Sequence, residues 1–165
     1  MKFLPTRARP ARTGSLLLLA ALVAAGLAKP ALAQTGPGVR AGVSVDPDQF
    51  YFGGHYVTDP IADRLRFQPN IEVGLGEDIT LITINVEFGY WIALRRPWQV
   101  YMGGGPAINI YNFETGAPRG RGDDSEVEGG FNILVGLKHR EGLFFELKVG
   151  ALDSPGLKLG VGYTF

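Results

Sequence analysis

Two histidines, His55 and His139, and the serines Ser44, Ser125 and Ser154 are the side chains beyond residue 33 that could support hydrolytic chemistry. Such chemistry needs a serine and a histidine within hydrogen-bond reach and a third group to orient the base. No serine stands beside His55 in a hydrolase pattern, and a single histidine on the polar side of a strand reads as a hydrogen-bonding residue. No grouping has metal-ligand spacing. Gly103-Gly104-Gly105 falls inside a strand pattern and lacks the following helix that a phosphate-cradling loop requires. Catalytic residues, cofactor-binding residues, metal ligands and cofactors are therefore not expected. Arg121-Gly122-Asp123 matches an adhesion tripeptide, but three residues in a Gly- and charge-rich loop carry little specificity.

What remains is ionic. Arg40, Arg66, Lys138, Lys148 and Lys158 alternate along the chain in step with Glu72, Glu87, Glu126, Glu128, Glu146 and a set of glycines. Equal numbers of both signs on one face predict mutual pairing, since isolated ions in a confined space are costly. The expected network is drawn from Arg40, Arg66, Glu72, Glu87, Glu128, Lys138, Glu146, Lys148 and Lys158.

The elements that carry these residues follow a period of two, the spacing at which successive side chains point to opposite faces of a strand. Ile82, Ile84, Val86, Phe88, Tyr90 and Ile92 share one face, and Thr83, Asn85, Glu87 and Gly89 share the other. Phe67, Pro69, Ile71, Val73 and Leu75 alternate in the same way with Arg66, Gln68, Asn70, Glu72 and Gly74. Strands are also predicted over 38–46, 49–58, 98–114, 125–139, 142–152 and 156–165. Turn signals such as Asp46-Pro47-Asp48, Gly76-Glu77-Asp78 and Asp153-Ser154-Pro155-Gly156 separate them. Short connections favour an antiparallel meander, and 114–124 is the clearest long loop. Most strands reach the ~9 to 11 residues that a tilted membrane strand needs. The expected fold is all-β, an eight-stranded antiparallel up-and-down transmembrane β-barrel.

Residues 1–33 read as a cleaved secretory signal peptide, with Lys2, Arg7, Arg9 and Arg12 before an apolar run from Leu16 to Ala28 and a small-residue site at Ala31-Leu32-Ala33. That run is shorter than the ~20 residues of a membrane helix. Residues 34–165 then form one barrel domain. With five bases removed, 11 bases face 16 acids, a balance that argues against a nucleic-acid partner. Cysteine is absent, so backbone pairing and packing must hold the fold.

Period alone leaves open whether the apolar face meets lipid or lines a core, as in a soluble, lipocalin-like ligand-binding barrel. Ionic and glycine residues on the other face favour a narrow lumen. Tyr56, Phe67, Tyr90, Trp98, Tyr163 and Phe165 fall on the apolar face at one rim, as an interfacial girdle would. The last segment, Leu157 to Phe165, resembles the C-terminal strand of outer-membrane barrels, and the stretch from Gly53 through Asn70 resembles small porin-family barrels. The resemblance implies residence in the cell outer membrane, contact with its lipid, and recognition by the barrel assembly machinery through Tyr163 and Phe165. Small barrels of this kind include channels and enzymes that modify lipid A; the balanced lumen charge favours a plugged, non-enzymatic structural barrel over either. Oligomeric state is not legible.

Overall fold

The computed structural model describes residues 35–77, 79–94, 97–113 and 125–165. The predicted signal segment and the long 114–124 loop lie outside the described residues. The chain forms β1 (Gly36–Val45), β2 (Gln49–Val57), β3 (Leu65–Leu75), β4 (Ile79–Ala93), β5 (Trp98–Phe113), β6 (Ser125–His139), β7 (Leu143–Leu152) and β8 (Leu157–Thr164). Every strand is antiparallel to its chain neighbours, and β8 pairs with β1 through Val43↔Leu159 and Arg40↔Gly162, closing the sheet. Closure leaves no sheet edge along the shared span, as a lipid-embedded sheet requires.

Strand positions follow from the alternation and the turn residues, within about two residues of the sequence expectation, as is usual at element ends. β4, β5 and β6 are longer, at 15, 16 and 15 residues. The upper part of β6, residues 125–129, pairs with β5 and passes beyond the end of β7, whose last partner is Gly130↔Leu152. This taller wall stands at the end opposite the described termini.

Polarity is the reverse of that in a water-soluble barrel. Ile84, Phe88, Met102, Ile133 and Val161 point outwards and are exposed, Ile133 at 58%. Arg40, Glu72, Glu87, Lys148 and Lys158 point inwards and are buried, Glu72 at 1%. An exterior of this kind suits hydrocarbon, where each charged group would be expensive. A soluble ligand-binding barrel needs the opposite arrangement.

The glycine-rich inner face has a direct packing cause. Tyr51 stands opposite Gly42, Tyr101 opposite Gly136, Phe144 opposite Gly162 and His55 opposite Gly38. In each pair a glycine Cβ would run into the large ring, and at Gly38, Gly42 and Gly162 into a neighbouring backbone carbonyl as well. At Gly103 no ring is involved, and a Cβ would strike the Phe88 carbonyl oxygen of the neighbouring strand. A Gly103→Val variant is therefore expected to lose stability by about 1–3 kcal/mol or more through overpacking, read as a lower urea midpoint with less heat-modifiable protein on gels.

Candidate functional site: the ionic lumen

Arg40 comes from β1, Glu72 from β3, Glu87 from β4, Glu146 and Lys148 from β7, and Lys158 from β8. Closure of the barrel aims all six at the axis. Arg40 Nη1 lies 3.2 Å from Glu72 Oε1 and 3.0 Å from Glu146 Oε1. Lys148 Nζ lies 3.1 Å from Glu72, 2.9 Å from Glu87 and 3.6 Å from Glu146. Lys158 Nζ lies 2.9 Å from Glu72 Oε2. Three bases thus meet three acids, and Glu72 serves all three bases.

Neutral groups extend the network sideways. Asn132 donates to Asn85 Oδ1, Asn85 to Asn70 Oδ1, and Asn70 to Glu87 Oε2, each at 2.7 Å. The ladder spans β6, β4 and β3. Asn132 reaches across β5 because its partner there is Gly105, which offers no side chain. Tyr101 donates to Glu146 Oε2 at 2.7 Å. Cation–π contacts complete the enclosure, with Lys158 5.1 Å from the Tyr51 centroid and Arg40 5.5 Å from that of Phe144.

Three residues expected in the network stand elsewhere. Arg66 lies at the terminus-side mouth, where Nη1 donates to the Thr58 carbonyl at 3.2 Å and the guanidinium sits 5.4 Å from the Trp91 centroid. Lys138 is buried near that same end and donates to Thr164 Oγ1 at 2.8 Å. Glu128 is at the opposite rim, in register with Asn109. Their parity is that of the network and their depth is not, since each inward position along a strand is displaced by about 6.6 Å from the next. Glu126, also of that parity, is exposed at the same rim.

Several lumen residues carry no charge and were not singled out by sequence: Tyr51, Trp91, Tyr101, Phe144, Leu134, Asn132 and Thr164. Parity was the available signal, because Trp91 continues the series Glu87, Gly89. Trp91 and Tyr101 stack at 4.5 Å between centroids.

His55 is buried and pairs through Nε2 with Thr164 Oγ1 at 3.0 Å. Ser44 Oγ instead donates to the Pro47 carbonyl near the far rim, and Ser154 lies against Asn109. Among the described residues, no hydrogen bond joins His55 to a serine. At the far end the β7–β8 turn folds over the lumen: Asn109 Nδ2 and Tyr111 Oη donate to the Asp153 carbonyl at 2.7 and 3.0 Å. The Gly156 N–H donates to the Asp46 carbonyl at 3.0 Å, tying this turn to the β1–β2 turn.

Neither protein-family models nor curated proteins match this chain. Solved structures do. The N-terminal β-barrel domain of Pseudomonas aeruginosa OprF aligns with a TM-score of 0.55 at 16% identity, over 80% of this chain and 98% of that one. Neisserial surface protein A (NspA) aligns with a TM-score of 0.53 at 14% identity, over 78% and 94%. The fold is that of the small eight-stranded outer-membrane β-barrels.

Proposed function

We propose that this protein is a non-enzymatic integral barrel of the Gram-negative outer membrane, with a closed lumen and a structural role in that membrane. One observation carries the reading: six ionised side chains of both signs fill the middle of the lumen, pair among themselves and are almost wholly withdrawn from solvent. A selective pore biases its wall to one sign and leaves an aqueous path, whereas eight strands enclose a space that side chains just fill. The folded-over β7–β8 turn adds a second obstruction.

The apolar exterior supports residence in lipid. β5 ends at Phe113 and β6 begins at Ser125 at the end away from the described termini, the end that suits the cell surface. The final strand, β8, which carries Tyr163 and is followed by Phe165, is the segment through which the barrel assembly machinery would engage the chain.

Planar bilayers test the reading. Purified protein is expected to give no large, long-lived conductance steps, while a Glu72→Ala, Lys148→Ala, Arg40→Ala triple variant gains conductance. Steady large steps from the unaltered protein would defeat the closed-lumen proposal.

A further inference from the structure

At the terminus-side mouth, two buried N–H groups without acceptors among the described residues, Trp91 Nε1 and Gln68 Nε2, stand near the buried ammonium of Lys138. Lys138 is 2% exposed, and its ammonium bonds the neutral Thr164 hydroxyl. No carboxylate among the described residues stands within ion-pair distance of it. Arg66 approaches the same ring, so that both cationic groups lie 5.4 Å from the Trp91 centroid. Trp91 Nε1 and Gln68 Nε2 are buried, and neither has an acceptor among the described residues. These two N–H groups converge: a Cβ on Gly89 would stand 2.5 Å from Gln68 Nε2 and 3.2 Å from Trp91 Nε1. A hollow of about 410 Å³, lined by Arg64, Arg66, Trp91 and Gln99, adjoins this group.

A buried ammonium without a counter-charge is costly, and so is a buried N–H without an acceptor. One ligand class relieves both. An oxyanion brings negative charge and several acceptor oxygens, and charge-assisted bonds to it are the strong ones. Asp63 also lines the hollow, and Asp59 precedes Pro60 of its lining. Neither forms an ion pair with Lys138, so the inner donors remain available.

We propose that this buried donor group beside the hollow binds a small oxyanion, held by Trp91 Nε1 and Gln68 Nε2, with Lys138 Nζ supplying the counter-charge and Arg66 flanking it. The chemistry is shared by phosphate and carboxylate groups. A site of this kind at the terminus-side mouth gives the barrel a ligand on the face opposite its tall wall, and it does not depend on whether the lumen conducts.

The chain has two tryptophans, Trp91 and Trp98, so indole N–H resonances give a two-signal readout. The isotope-labelled full-length barrel in phospholipid nanodiscs is titrated separately with inorganic phosphate, acetate and chloride at constant ionic strength. Phosphate, acetate or both are expected to move the Trp91 indole signal saturably in the millimolar range, with Trp98 unmoved and chloride without effect; which of the two binds more tightly identifies the group. Lys138→Met and Gln68→Leu, checked for folding by heat-modifiable mobility, are each expected to weaken binding roughly tenfold, the loss of about one charge-assisted bond. Lys138→Arg is expected to restore it. A Trp91 signal indifferent to both oxyanions, moved equally by chloride, or titrating unchanged in the two folded variants would overturn the assignment. If one of these variants fails to fold, the other decides.

Discussion

Replacing Glu72 with glutamine is expected to destabilise the barrel by about 3–5 kcal/mol, the scale of breaking a buried ion pair from one side. The figure follows from what the carboxylate does. Glu72 Oε1 faces Arg40 and Lys148, and Oε2 faces Lys158, so a neutral amide leaves three buried cations to share Glu87 and Glu146. Lys158 loses most, because its only ion-pair contact among the described residues is with Glu72. Coulomb attraction at these separations is strong where water is excluded, and the penalty for an uncompensated charge grows for the same reason. Urea unfolding from lipid vesicles, followed by tryptophan fluorescence, measures the loss. A second substitution, Lys158→Met, made in the Glu72→Gln background should recover part of it, since contacting residues are non-additive. A loss below about 1 kcal/mol, typical of an exposed pair, would mean that the lumen is wet and the network weak.

The other large effect belongs to the outer surface. Ile84→Arg is expected to cost ~2 to 4 kcal/mol in a bilayer if the residue sits near the midplane. Ile84 pairs with Ile71 on β3 and Ile108 on β5, placing three isoleucines side by side on the outside of the sheet. Arginine there must carry its charge into hydrocarbon or bend towards a headgroup that lies half a membrane away. Ile133→Arg on β6 should behave alike. The control is Thr80→Arg, near the far rim, where the same charge reaches water and the expected cost falls to about 0–1 kcal/mol. Equal stability of Ile84→Arg and the unaltered protein in lipid would contradict an outward hydrocarbon-facing surface.

Much of this architecture can be read from residue order. Alternation places Ile82, Ile84 and Val86 on one side and Thr83, Asn85 and Glu87 on the other, and Asp-Pro and Gly-Glu-Asp punctuation marks where strands end. Closure with eight strands follows from their even number and short connections. Depth along the axis does not follow. Arg66, Lys138 and Glu128 share the parity of Glu72 and Lys148, yet the register places Arg66 opposite Gly89, Lys138 opposite Phe144 and Glu128 opposite Asn109. Register is set by turn geometry and cumulative shear around the whole barrel, quantities spread over all eight strands. The inward aromatics escaped for a different reason. Trp91 and Phe144 are flanked by the outward Tyr90 and Phe145, so residue type alone does not separate a lumen ring from a membrane-facing one. For Phe144 the glycine directly opposite, Gly162, is the cue that does, and it becomes usable once the strand pairing is known; Trp91 has Tyr101 opposite instead.

The account rests on side chains of one parity meeting lipid while those of the other meet one another. The chain has no cysteine, so single cysteines at Ile82 through Val86 and Phe131 through Val135 can each carry a nitroxide, with collision rates measured against oxygen dissolved in the bilayer and a water-soluble nickel complex. Labels at Ile82, Ile84, Val86, Phe131, Ile133 and Val135 are expected to collide freely with oxygen, and those at Thr83, Asn85, Asn132 and Leu134 to be immobile and shielded from both reagents. Oxygen collisions peaking at the second set, or nickel reaching the first, would contradict it.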